Sequence, residues 1–170
     1  MSAVPPDSAA SPAPAAQESY QVRFDWGLAG RDAIAVDADA VVWVDQLDGG
    51  VDARTLEQAD EIAAWALAEQ ERLGGRFRIA VVAAGVERAD GSLRFAVEDL
   101  LAAGAIIDAI AGVGIDHQSP EAAAAAAAYS GLRNATRHLV TASVSARELG
   151  GVQLDVTPVD SIQRLGGVSA

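Results

Sequence analysis

The stretch from Ile79 to Ile110 constrains the fold of this chain more than any other. It reads IAVVAAGVERADGSLRFAVEDLLAAGAIIDAI. The apolar run at its start predicts a buried strand, the Asp90-Gly91 pair predicts a tight turn, and Ser92 is expected to cap the helix that follows. Glu98 and Asp99 lie near the start of that helix. Because α/β proteins bind ligands at the carboxyl ends of their strands, these two acidic residues are expected beside the binding crevice.

The remaining pattern alternates between strand and helix. Alternating or continuous apolar runs predict strands over 20–26, 38–44 and 77–83, the last of which contains the apolar run at Ile79, with one more over 152–156. Amphipathic spacing and capping residues predict helices over 27–36, from Asp52 to about Leu73, from Ser119 through the alanine run, over 132–141, and from Ser145 to Glu148. Strands that alternate with helices predict an α/β fold, a three-layer α/β/α sandwich with a largely parallel or mixed sheet.

Length and composition indicate one ordinary domain. The chain has 170 residues, and its first 18 are rich in alanine, proline and serine. We expect residues 1–18 to form a disordered tail and residues 19–170 to form a single α/β domain. The tail has no basic start and no uninterrupted apolar run, and no segment approaches the length of a membrane span. A cytoplasmic protein is therefore expected.

The charge balance excludes several functional classes. The formal net charge is −12, and all the basic residues are arginines. Such a field repels polyanions, so nucleic-acid binding is not expected. The chain has no cysteine and only two histidines, which excludes disulfides and thiol catalysis and argues against a histidine-built zinc site. An anionic small molecule would need a bound cation or a local group of arginines.

Four stretches, in order, resemble the 2-phosphosulfolactate phosphatase family, which are Mg²⁺-dependent enzymes of coenzyme M biosynthesis. They are YQVRFDWGLAG, ADAVVWVD, IAVVAAGVERADGSLRFAVEDLLAAGAII and SPEAAAAAAAYSGLRNATRHLVTASVSARELG. Together they cover most of residues 20–150. The resemblance implies a Mg²⁺-dependent phosphatase acting on 2-phosphosulfolactate or a similar small phosphorylated acid.

The resemblance also implies a set of site residues. Asp45, Glu98 and Asp99 would hold Mg²⁺ directly or through water, although adjacent helical residues point about 100° apart, so only one of the last two can aim squarely at the ion. The anionic groups of the substrate would meet Arg88, Arg94, Arg133 and Asn134. These positions also have structural interpretations. Asp45 caps a turn, and the acidic pair interacts favourably with the helix dipole. Arg88 and Arg94 are surface arginines that offset nearby acidic residues, and Asn134 is a helix or turn residue without a ligand. No residue is assigned as catalytic.

The chain departs from the family after Asp45. It continues Gln46-Leu47-Asp48-Gly49-Gly50, whereas the family has an arginine, a threonine-rich turn and a longer middle portion. The alternative hypothesis is therefore a catalytically inactive, shortened paralog that acts as a small-molecule-binding or interaction protein. Shortening a sheet exposes an edge or an apolar face, which favours a homodimer.

Overall fold

The computed structural model describes residues 17–49 and 52–151. Its main sheet has three parallel strands in the order β1-β3-β2, namely β1 (Val22–Trp26), β2 (Ala40–Val44) and β3 (Ile79–Ala83). A separate antiparallel hairpin consists of β4 (Val86–Glu87) and β5 (Leu93–Arg94). The predicted α/β class is confirmed, and each of the three long strands begins two residues later than expected.

Six α-helices accompany these strands in the described ranges. They are α1 (Gly27–Ile34), α2 (Ala59–Leu73), α3 (Val97–Gly112), α4 (Pro120–Leu132), α5 (Thr136–Ala142) and α6 (Val144–Glu148). Ser119 caps α4 as predicted, because its Oγ accepts a hydrogen bond from the N–H of Ala122 at 3.1 Å. None of the helices in these ranges is both long and apolar enough to cross a bilayer.

The central strand β3 separates two apolar clusters. Its Ile79, Val81 and Ala83 lie in a large cluster with residues of α2, α3 and α4, whereas Ala80 and Val82 lie in a small one with Ile34 of α1. Since successive side chains of a strand point to opposite faces, α1 and α2–α4 lie on opposite sides of the sheet. Helices thus contribute to both faces, and the full three-layer description stays a prediction.

Helices α3 and α4 approach each other closely at Gly104. A Cβ added there would lie 2.3 Å from the carbonyl oxygen of Ala125 and 2.8 Å from Cβ of Tyr129. The small residues of both helices permit this spacing, which brings the two backbones into contact. The alanine run of α4 therefore serves tight helix packing.

The outer edge of β1 is closed by other parts of the chain. The amide of Gln17 donates to the carbonyl of Phe24 at 2.8 Å and accepts from its N–H at 3.0 Å. The N–H of Val22 donates to the carbonyl of His117, and the carbonyl of Val22 accepts from Ser119. Gln17 and Glu18 belonged to the predicted tail, but Gln17 is bound to the sheet; the rest of that tail and the predicted strand over 152–156 lie outside the described residues.

A buried arginine fixes the carboxyl end of α1. Arg23 on β1 is fully buried, and its guanidinium donates to the carbonyls of Glu18, Tyr20, Ile34 and Val36. These carbonyls belong to the segment before β1 and to the end of α1, so one side chain joins the two.

Three predicted helix caps were wrong. Ser92 lies in the turn of the β4–β5 hairpin, where it bonds to Asp90 at 2.7 Å, and α3 begins only at Val97. Helix α2 begins at Ala59, directly after the 3-10 turn Leu56–Gln58. The side chain of Gln58 accepts the N–H of Thr55 at the start of that turn, and Asp52 does not cap α2. Ser143, not Ser145, caps α6.

Candidate functional site

The crevice expected in an open α/β sheet lies between the carboxyl ends of β1 and β3. β1 is followed by α1 on one face of the sheet, and β3 is followed by α3 on the other face. Ligands of open α/β sheets bind between two neighbouring strands that are connected in this way. Gly27 follows β1, and Gly85 follows β3 closely; both have φ of 62°. Positive φ favours glycine at each position.

In this chain the crevice is filled by the hairpin. A Cβ added at Gly27 would lie 3.1 Å from Cδ1 of Leu93, and one added at Gly85 would lie 2.9 Å from the same atom. The ring of Phe95 lies 5.1 Å from that of Trp26, although Phe95 stays 57% exposed. Leu93 thus covers both glycines with an apolar side chain. The predicted acidic residues lie instead beside the carboxyl ends of β2 and β3.

Asp99 bridges the carboxyl ends of β2 and β3. Its Oδ1 accepts the N–H of Gln46 at 2.9 Å, and its Oδ2 accepts the N–H of Gly85 at 2.9 Å. The residue is 3% exposed. The pKa of Asp99 is raised to about 7, mainly by burial; the charges of Asp45 and Glu98 contribute to the rise, and the two backbone N–H groups act in the opposite direction. The carboxylate therefore holds the two strand ends together at the cost of desolvation.

Asp45 caps the turn that follows β2. Its Oδ1 accepts from the N–H of Asp48 at 2.9 Å and from that of Leu47 at 3.3 Å. The structural interpretation of Asp45 is thus correct, and it leaves Oδ2 without a hydrogen bond in the described ranges. Asp45 directly precedes Gln46, whose N–H binds Asp99, and the charge of Asp45 opposes the ionisation of Asp99.

Glu98 is the third acidic residue at this site. It is 3% exposed, and within residues 17–49 and 52–151 no buried side-chain oxygen or nitrogen lacks a hydrogen-bond partner. No described salt bridge involves Asp45, Glu98 or Asp99. Three carboxyl groups therefore lie near one another without a basic partner from the part of the chain that is described. We call Asp45, Glu98 and Asp99 the acidic cluster.

The acidic cluster fits a magnesium site only in part. Among the described residues, no three His, Cys, Asp or Glu side chains are arranged to hold one metal ion. Its donors are nevertheless hard oxygens, and Mg²⁺ is commonly held by one or two carboxylates with water in the remaining positions. With both oxygens of Asp99 accepting backbone N–H groups, Asp45 and Glu98 are the members suited to bind an ion.

Two of the predicted substrate arginines are engaged elsewhere. Arg88 donates to Oγ of Ser92 at 3.2 Å and to the carbonyl of Leu93 at 3.0 Å, so it closes the hairpin. Arg94 pairs with Glu148 at 2.8 Å and joins the hairpin to α6. The pair of Arg94 with Glu148 matches its interpretation as an arginine that offsets an acidic residue, whereas the described partners of Arg88 are a hydroxyl and a carbonyl.

Arg133 lines a pocket beside the acidic cluster. The pocket measures about 300 Å³, and Gln46 and Arg137 also line it. Gln46 connects the two features, because its N–H binds Asp99 while its side chain faces the pocket. Asn134 lies in the exposed 3-10 turn Arg133–Ala135 and is not part of the wall.

The sequence interpretation missed Gln46 and Arg137. Arg137 lies four residues after Arg133, a spacing that places two side chains on one side of a helical segment, and this signal was available. Gln46 directly follows the predicted strand end at Asp45. Its side chain accepts the N–H of Leu56 at 2.8 Å and donates to Glu57 at 3.2 Å, contacts that no local pattern indicates.

Comparison with known proteins does not identify a family. No family model, no curated protein and no solved structure matches this chain. The resemblance to the 2-phosphosulfolactate phosphatases therefore stays a prediction, and the functional argument depends on the site itself.

Proposed function

We propose that this protein is a Mg²⁺-dependent phosphatase that hydrolyses 2-phosphosulfolactate or a similar small phosphorylated acid. The observation that carries the proposal is the grouping of three acidic residues at the carboxyl ends of β2 and β3, where Asp99 is buried and the charges of Asp45 and Glu98 act on it. A cytoplasmic location belongs to the same proposal.

Electrostatics supports a bound cation at the acidic cluster. Burial is the main reason that the pKa of Asp99 is raised, and the charges of both neighbours add to it. A divalent ion beside Glu98 and Asp45 would offset this repulsion and favour the ionised form of Asp99. Partial coordination by two carboxylates leaves positions for water and for a phosphate oxygen, as Mg²⁺ prefers.

The chain's own residues would then have separate roles. Asp45 and Glu98 would hold the ion, while Asp99 keeps the ends of β2 and β3 at a fixed spacing through its two N–H contacts. Arg133, next to Gln46, would bind the anionic groups of the substrate. The bound ion would offset charge on the phosphoryl oxygens as the ester bond breaks.

A phosphate-release assay with and without Mg²⁺ tests the proposal. We expect release that depends on Mg²⁺ and falls by at least about tenfold in Glu98→Gln and Asp45→Asn, as removal of one charge-stabilising group typically costs. Asp60→Asn, an exposed change on α2, is the matched control and should keep full activity. Release that is absent, or that is indifferent to Mg²⁺ and to both cluster variants, would exclude the phosphatase.

The second candidate is a catalytically inactive protein that binds a small molecule. It is favoured by the engagement of Asp99, Arg88 and Arg94 in internal contacts, which leaves few groups for chemistry. Calorimetric titration separates the two candidates. Binding of a small phosphorylated acid without any turnover would support the second, whereas turnover supports the first.

A further inference from the structure

The pocket beside the acidic cluster has two chemically different sides. Arg133 and Arg137 contribute positive charge, whereas Leu56, Tyr129 and Val140 contribute apolar surface. Its volume of about 300 Å³ is at the lower end for small-molecule sites. A ligand that fills it must therefore be small and must combine an anionic group with an apolar body.

The two arginines are available to a ligand. Within the described ranges, neither guanidinium forms a salt bridge, and neither donates a hydrogen bond to another residue. The chain as a whole has a net charge of −12, so these two arginines form a local positive region in an acidic protein. A phosphate or phosphonate offers oxygens to both planar guanidinium groups.

Glu57 limits what the rest of the ligand can be. It also lines the pocket, where Nε2 of Gln46 donates to its Oε2 at 3.2 Å. A second anionic group placed against Glu57 would be repelled, whereas an apolar group on Leu56, Tyr129 and Val140 would be favoured. The residues that line the pocket therefore favour a ligand with a single anionic group.

We infer that this pocket binds small phosphomonoesters that carry their phosphate on an apolar or aromatic body, with Arg137 and Glu57 as specificity-determining residues. The inference rests on the proposed function for turnover, because the pocket would hold the substrate, but it narrows the substrate class. An ester with one anionic end is favoured over 2-phosphosulfolactate, whose further acidic groups Glu57 would repel. Binding itself does not depend on hydrolysis, so it can be tested separately.

Phosphonates provide the test, because their P–C bond is not hydrolysed by phosphatases. Calorimetric titration would compare phenylphosphonate, methylphosphonate and phosphonoacetate. We expect phenylphosphonate to bind about tenfold more tightly than methylphosphonate, since the ring is buried against the apolar wall. Phosphonoacetate, whose carboxylate meets Glu57, should bind more weakly than phenylphosphonate.

Variants then assign the contacts. Arg137→Gln should weaken the binding of phenylphosphonate about tenfold. Arg147→Gln, an exposed change on α6 that does not line the pocket, should leave this affinity unchanged. Glu57→Gln keeps an acceptor for Gln46 but removes the negative charge, so it should strengthen the binding of phosphonoacetate only. Circular dichroism would confirm that each variant is folded.

Equal binding of phenylphosphonate and methylphosphonate, or unchanged binding in Arg137→Gln, would overturn the inference. So would a preference for phosphonoacetate, which would instead indicate a polyanionic substrate. Tight binding of phenylphosphonate without phosphate release from any ester would support the inferred binding site and exclude the phosphatase activity. Failure of the inference and failure of the proposed function are therefore distinguishable.

Discussion

The titration of Asp99 provides a direct test of how the strand ends are held. Burial raises its pKa from the usual 3.8 to about 7. A carboxyl group whose pKa is higher in the folded state binds its proton more tightly there, so its contribution is fully present below pH ~4 and is lost as the pH rises to ~7. At about 1.4 kcal/mol per pKa unit, the free energy of unfolding should fall by about 4 kcal/mol across this range.

Urea unfolding of the wild-type protein and of Asp99→Asn, followed by circular dichroism from acidic to mildly basic pH, measures this contribution. Asparagine has one acceptor oxygen for two backbone N–H groups, so the variant should be less stable by about 1–3 kcal/mol in acid. The difference should shrink or reverse by pH ~8, because asparagine carries no charge to desolvate. The exposed change Asp60→Asn should follow the wild-type profile throughout.

Parallel profiles for the wild type and Asp99→Asn would refute the reasoning. They would mean that Asp99 carries the same charge in the folded and unfolded states across this range. The bridge between the N–H groups of Gln46 and Gly85 would then be an ordinary carboxylate contact, without the desolvation that its burial implies.

Further predictions concern packing and buried hydrogen bonds, and urea midpoints check each of them. Gly104→Ala should destabilise the protein by about 1–3 kcal/mol through its clash with Ala125, whereas Gly112→Ala, on the same helix with open space around it, should not. Gly85→Ala should cost more than Gly74→Ala, since both have positive φ but only the former meets Leu93. Arg23→Met should cost about 1–3 kcal/mol or more by leaving buried carbonyls without a donor, while Arg31→Met at the surface should change little.

Much of the fold could be predicted because its strands are apolar on both faces. Ile79–Ala83 is buried at every position, so its composition alone indicated a central strand, and Asp45 was correctly placed just after β2. The start of α3 was misplaced because the Asp90–Ser92 turn has the residues of a helix cap, yet Ser92 bonds back to Asp90 in a hairpin. Local propensity does not distinguish these two uses.

The site was only partly predictable for a different reason. Glu98 and Asp99 were expected at the crevice, but Asp99 bridges the ends of β2 and β3, whereas the crevice lies between β1 and β3. The two contacts of Asp99 join residues that are 53 and 14 positions away along the chain, so its role in bridging β2 and β3 follows from tertiary structure alone. The same applies to the pocket, which assembles Gln46 and Glu57 with residues of α4 and α5.

The amide of Gln17 has a consequence for assembly. A single glutamine occupies the backbone donor and acceptor of Phe24, and residues 117–119 occupy those of Val22, so another chain cannot add a strand along β1 without displacing them. A homodimer of this protein, if it forms, must therefore be built from side-chain surfaces or from the β2 margin. The same contacts block fibrous association by strand addition along this border of the sheet.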